Sequence, residues 1–134
     1  MPTQILVVDD DPSILALVAE ILRDEGYAVA TARNGAEALE RVAETVPAVL
    51  VTDLMMPVMD GSALVRAWQA APATESLPIV IMSAALPVLL DSLARLGVAE
   101  AVHKPFDTDV LVALIARLVA GAATRFLPET GARQ

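Results

Sequence analysis

Five short apolar runs, separated by stretches of helical spacing, constrain this chain more than any other feature. The runs are Gln4 to Val8, Tyr27 to Ala32, Ala48 to Val51, Pro78 to Met82 and Val98 to His103. They lack the in-out alternation of a half-exposed strand, as parallel strands do when helices cover both faces. Strands alternating with helices predict one parallel α/β sheet with right-handed crossovers, a (βα)5 doubly wound fold.

The intervening segments carry helix signals. Asp11 is a good N-cap with Pro12 at the first helical position, so a helix is predicted from Pro12 to about Glu25, with Ile14, Val18, Ile21 and Leu22 facing inward and Gly26 closing it. Asn34 with Glu37 three residues on resembles a capping box and starts a helix carrying Leu39, Val42 and Val46, which Pro47 ends. Ser62 to Ala70 predicts a third helix with Leu64, Val65 and Trp68 inward, Pro87 to Leu96 a short fourth, and Asp107 to Ala120 a last one. Ala71 to Leu77 is a surface connection, and Pro57 and Gly61 mark Leu54 to Asp60 as a loop. The division expected is one domain over residues 1–121 and a flexible tail over 122–134. Leu127 to Gly131, LPETG, looks like a sorting signal, but only three residues follow it, so chance is the better reading.

Composition removes several functions. With 9 basic and 17 acidic residues the formal charge is −8, the wrong sign for holding nucleic acid through phosphate contacts. Cysteine is absent, which excludes disulfides and thiolate metal sites and suits a cytoplasmic protein. No stretch reads as a membrane span or a signal peptide.

The polar residues at the strand ends carry the chemistry. Asp9 and Asp10 follow the first run, Asp53 the third, Ser83 the fourth and Lys104 the fifth, so all five belong to one sheet edge. If the strands stand in the order 2-1-3-4-5, they converge on the crevice between the first and third, where open α/β sheets bind ligands. Carboxylates about 5 Å apart repel by roughly 3 kcal/mol per pair at an effective dielectric near 20. The cluster calls for a cation. An all-oxygen donor set suggests a hard one, and Mg²⁺ retaining several waters fits better than a full Ca²⁺ cage. Lys104 and Ser83 add an ammonium and a hydroxyl, a combination suited to a phosphoryl group.

Singly, each residue has a plainer role. Asp11 reads as a cap, Ser83 alone would be a cap, Lys104 alone a solvated charge, and His103 a structural histidine with no second histidine to pair with in a metal site.

The acidic pair in LVVDDDP, the DLMMPVMDG loop, Ser83-Ala84 and the KPF tripeptide at Lys104 to Phe106 stand in order at the right strand ends. On these motifs the chain, from Ile5 to about Ala120, resembles a response-regulator receiver domain of two-component signalling, of the stand-alone type similar to the chemotaxis regulator. The resemblance implies the flavodoxin-like order 2-1-3-4-5, with Asp53 as phosphoacceptor. Asp10, Asp53 and the Met55 backbone carbonyl would ligate Mg²⁺, with Asp9 acting through water. Ser83 and Lys104 would stabilise the phosphoryl group, and the Lys104-Pro105 bond would be cis. It also implies a phosphoaspartate signalling domain rather than an enzyme, served by a histidine kinase or histidine phosphotransfer protein, read by a downstream protein target, and a monomer or weak dimer.

One position departs from the family. Receivers commonly carry Tyr or Phe three residues before the lysine, and this chain has Ala101. That departure keeps open an adaptor that binds partners without phosphorylation. A phosphatase with an aspartyl-phosphate intermediate would want a second Asp where Met55 stands, and a flavin carrier would want a Gly- and hydroxyl-rich loop where Asp9, Asp10 and Asp11 stand.

Overall fold

The structure, a computed structural model, describes residues 3–53, 61–83, 100–104 and 107–125. Within them β1 (Gln4–Val8), α1 (Pro12–Asp24), β2 (Ala28–Ala32), α2 (Gly35–Glu44), β3 (Val49–Asp53), α3 (Gly61–Ala70), β4 (Ile79–Ser83), β5 (Glu100–His103) and α4 (Thr108–Arg125) follow one another. The five strands form one parallel sheet in the order β2-β1-β3-β4-β5, as expected. The helix predicted over Pro87 to Leu96, the loop from Leu54 to Asp60, the Lys104-Pro105 bond and the LPETG segment lie outside the described residues.

Two apolar layers sandwich the sheet because successive strand side chains point to opposite faces. Ile5, Val7, Val49, Val51, Val80, Met82 and Val102 meet Leu15, Val18 and Leu22 of α1 and Leu111, Leu114 and Ile115 of α4. Leu6, Val8, Leu50, Ile79 and Ile81 meet Ala38 of α2 and Leu64, Val65 and Trp68 of α3. Burying one such Leu, Ile or Val contributes about 1.5–3 kcal/mol, so these layers dominate what holds the domain.

The helix ends follow the sequence. Asp11 caps α1, its carboxylate accepting from the backbone N–H groups of Ser13 and Ile14. Gly26, at φ 96°, closes α1 in a Schellman motif: its N–H donates to the Arg23 carbonyl and that of Tyr27 to the Leu22 carbonyl. Asn34 caps α2 by accepting from the Glu37 N–H at 2.8 Å.

Several expectations need correction. On α1 the buried residues are Leu15, Val18, Ala19 and Leu22, while Ile14 and Ile21 are half-buried. Two layers of packing, on the sheet and beside α4, turn the helix by part of a residue from the stripe that spacing alone suggests. The α2 helix ends at Glu44 and leaves Val46 45% exposed. Proline disfavours helical backbone at the residue before it, and the extended Thr45 releases the chain one residue earlier still. The α3 helix begins at Gly61, one residue before the predicted start at Ser62. The last helix continues to Arg125, so residues 122–125, assigned to the tail from composition, are helical. The backbone ladder of a helix propagates at little cost once nucleated.

Candidate functional site

The register places the polar residues. Val8 pairs with Thr52 across β1 and β3, so Asp9 and Asp53 emerge side by side one residue later. Asp53 pairs with Met82, and Ser83 with His103, so the fourth and fifth strands deliver Ser83 and Lys104 to the same edge. Main-chain bonds hold these ends: Asp9 N–H donates to the Ala32 carbonyl at 3.1 Å and Lys104 N–H to the Ser83 carbonyl at 2.9 Å.

Oxygens of Asp9, Asp10 and Asp53 lie within 4.8 Å of one another. Asp9 is fully buried, Asp53 and Ser83 are buried, and Asp10 is exposed. The Lys104 ammonium reaches into the cluster, 2.7 Å from Asp9 Oδ2 and 3.3 Å from Asp53 Oδ2. The other Asp9 oxygen, Oδ1, accepts from the Asp11 N–H at 2.9 Å. Both Asp9 oxygens are thus engaged by the protein. Asp10 and Asp53 supply the other two carboxylates that lie at ligand spacing.

The electrostatics show what the cluster costs. Burial pushes the Asp9 carboxyl above the usual carboxylate range, and the hydrogen bond from Lys104 only partly offsets it. Burial also works against the Lys104 charge, but Asp9 and Asp53 together raise its pKa above that of an ordinary lysine. Among the described residues, one ammonium reaches this cluster of three carboxylates and touches two of them. The donor set is oxygen alone, clustered at ligand spacing, and it fits a small hard cation such as Mg²⁺.

All the sequence-predicted residues within the described part converge: Asp9, Asp10, Asp53, Ser83 and Lys104 share one edge. Met55 lies outside it. Ala101 is half-buried and packs against the layer of α2 and α3, while its neighbour Val102 joins the layer of α1 and α4 and His103 is exposed. Sequence reasoning passed over Thr52, a fully buried hydroxyl directly before Asp53 that donates to the Asp53 carbonyl at 2.8 Å. Its signal was a hydroxyl residue between an apolar run and the aspartate that follows. Asp11, by contrast, is the cap it was expected to be. Among the described residues no helix is long and apolar enough to cross a membrane.

A family model described as the response regulator receiver domain matches residues 5–116. The hybrid signal transduction histidine kinase D of Dictyostelium discoideum is 35% identical over 127 residues, covering 93% of this chain and 8% of that protein. The transcriptional regulatory protein PrrA of Mycobacterium leprae is 41% identical over 119 residues, covering 87% of this chain and 48% of its own length. The chain thus spans less than half of either curated relative. Among solved structures, the chemotaxis response regulator CheY4 of Vibrio cholerae superposes with a TM-score of 0.81 at 30% identity, covering 88% of this chain and 99% of that one.

Proposed function

Because this chain belongs to the response regulator receiver domain family of two-component signalling, we propose that it accepts a phosphoryl group on Asp53 in a Mg²⁺-dependent reaction and signals by a conformational change. The observation that carries this reading is the meeting of three carboxylates and one ammonium at the carboxyl ends of β1, β3 and β5.

Asp53 is the nucleophile in this reading, since it ends the central strand and keeps a carboxylate at the mouth of the crevice. Its carboxylate oxygen attacks the phosphorus of a donor, a phosphohistidine on a histidine kinase or phosphotransfer protein, and the histidine nitrogen leaves. Asp10 and Asp53 would hold Mg²⁺, with the Met55 carbonyl. The ion would supply charge neutralisation at the phosphoryl oxygens. Asp9 holds Lys104 through Oδ2, which keeps the ammonium beside the nucleophile. Lys104 pairs with the charge that the transferred group brings, and the Ser83 hydroxyl donates to one of its oxygens. Such transfer asks little covalent chemistry of the protein beyond positioning and charge. The downstream target is a protein that distinguishes the two states, and the site is a cytoplasmic one.

The assembled site speaks against an adaptor that works without phosphorylation, which would have no need to bury Asp9 beside a lysine. The test is intact mass after incubation with acetyl phosphate and Mg²⁺. One phosphoryl group is expected on the wild type and none on Asp53→Asn. An Asp53→Asn chain modified as fully as the wild type would overturn the assignment.

A further inference from the structure

Thr52 is the one polar residue preceding Asp53 in β3, where Val49, Leu50 and Val51 come before it and all five residues are buried. Its partners across the sheet are Val8 and Ile81, both fully buried apolar side chains. Valine has the same shape and would suit this place better on burial grounds, because a buried hydroxyl must find a partner and a methyl group need not. The partner that the hydroxyl finds is the carbonyl oxygen of Asp53, at 2.8 Å.

That bond adds nothing to strand pairing, since both groups belong to adjacent residues of one strand. It fixes the peptide plane on the carboxyl side of Asp53. There the pairing register with β4 ends, at Asp53 opposite Met82. Rotation about the Cα–C bond of Asp53 changes the direction of its carboxylate relative to this plane. A pinned plane therefore restrains the backbone from which the carboxylate projects, where it lies 3.3 Å from Lys104 and within the cluster of Asp9 and Asp10. Sites of this kind tolerate only about 0.5 Å of misplacement.

We propose that the buried Thr52 hydroxyl is a positioning group that orients the Asp53 carboxylate for cation binding and phosphoryl acceptance by holding the Asp53 carbonyl. The inference rests on the reading of the site given above. A second buried hydroxyl supplies an internal control: Thr74 donates to the Trp68 carbonyl at 2.6 Å in the connection that precedes β4, at the opposite edge of the sheet.

The test is calorimetric titration of the full chain with Mg²⁺ alone, without a phosphodonor, on wild type, Thr52→Val, Thr52→Ser and Thr74→Val. Outer partners of metal ligands are worth about 10–100-fold in affinity, and because Thr52 acts on Asp53 through its carbonyl, a loss at the low end, about tenfold, is expected for Thr52→Val. Thr52→Ser, which keeps the donor, is expected to bind as the wild type does, and so is Thr74→Val. Should Thr52→Val fail to fold, Thr52→Cys keeps the size with a weaker donor and takes its place. Unchanged Mg²⁺ affinity in the Thr52 variant overturns the inference, as does equal weakening by Thr74→Val, which would trace the effect to lost stability. A wild-type chain that binds no Mg²⁺ overturns the reading of the site itself, and the inference with it.

Discussion

The Asp9 carboxylate and the Lys104 ammonium, 95 residues apart in the chain, meet at 2.7 Å at the carboxyl edge of the sheet. Asp9 is fully buried there, so the pair is what makes an ionised Asp9 tolerable in the folded protein.

Lys104→Met should therefore destabilise the metal-free protein by about 3 kcal/mol at pH 8, the usual result of leaving one member of a buried pair behind. The loss depends on pH. Burial already holds the Asp9 pKa above its ordinary value, and removing Lys104 takes away the hydrogen bond that opposes the shift. A carboxyl whose folded pKa is raised contributes stability that is fully present below its unfolded pKa and is lost as pH rises through the folded one. The variant's deficit should then shrink as pH falls through the raised folded pKa toward about 4, because the folded Asp9 takes up a proton and no longer buries an unpaired charge. Denaturant melts of both proteins at several pH values check this, and a deficit independent of pH would contradict it.

Mg²⁺ should raise the unfolding temperature of the wild type, because a cation held by clustered carboxylates binds the folded form alone. The shift should vanish in Asp10→Ala, which removes the exposed member of the cluster. Thermal melts with and without Mg²⁺ decide it. A shift that survives the substitution places the cation elsewhere.

Asp11→Ala separates cap from ligand. Its carboxylate caps α1, so the substitution should cost about 1 kcal/mol of stability and leave the Mg²⁺ effect on melting intact. Loss of the Mg²⁺ effect would make Asp11 part of the cation site.

Much of this was legible in the residues themselves. The run Gln4–Val8 became β1 with the same bounds, and the residues ending four of the runs, Asp9, Asp53, Ser83 and Lys104, came to one edge because parallel strands all deliver their carboxyl ends to the same side. The strand order was not in the runs; it came with the resemblance. Nor was the inward stripe of α1, which is set by a sheet and a neighbouring helix that the local sequence does not contain. The bond from Thr52 to the next residue's carbonyl was not legible, because hydrophobic patterning is blind to such bonds.

Ala101 bears on how the phosphorylated state is read. A methyl group cannot act as the aromatic ring that receivers commonly carry at this place. Ala101 packs toward the layer of α2 and α3, whereas the buried side chains of α4 belong to the other. Beryllofluoride, a phosphoryl mimic, should therefore shift NMR signals strongly over residues 83–90 and weakly over 110–118. Equal or larger shifts in α4 would show coupling across this face without the ring.

The central claim is that Asp53, and neither Asp9 nor Asp10, accepts the phosphoryl group. An aspartyl phosphate is an acyl phosphate, which borohydride reduces to homoserine while ordinary carboxylates are left unchanged. Peptide mapping of the wild-type chain after acetyl phosphate, Mg²⁺ and borohydride should find homoserine at position 53 alone. Homoserine at position 9 or 10, or at no position in a chain that has gained phosphate, would contradict the account.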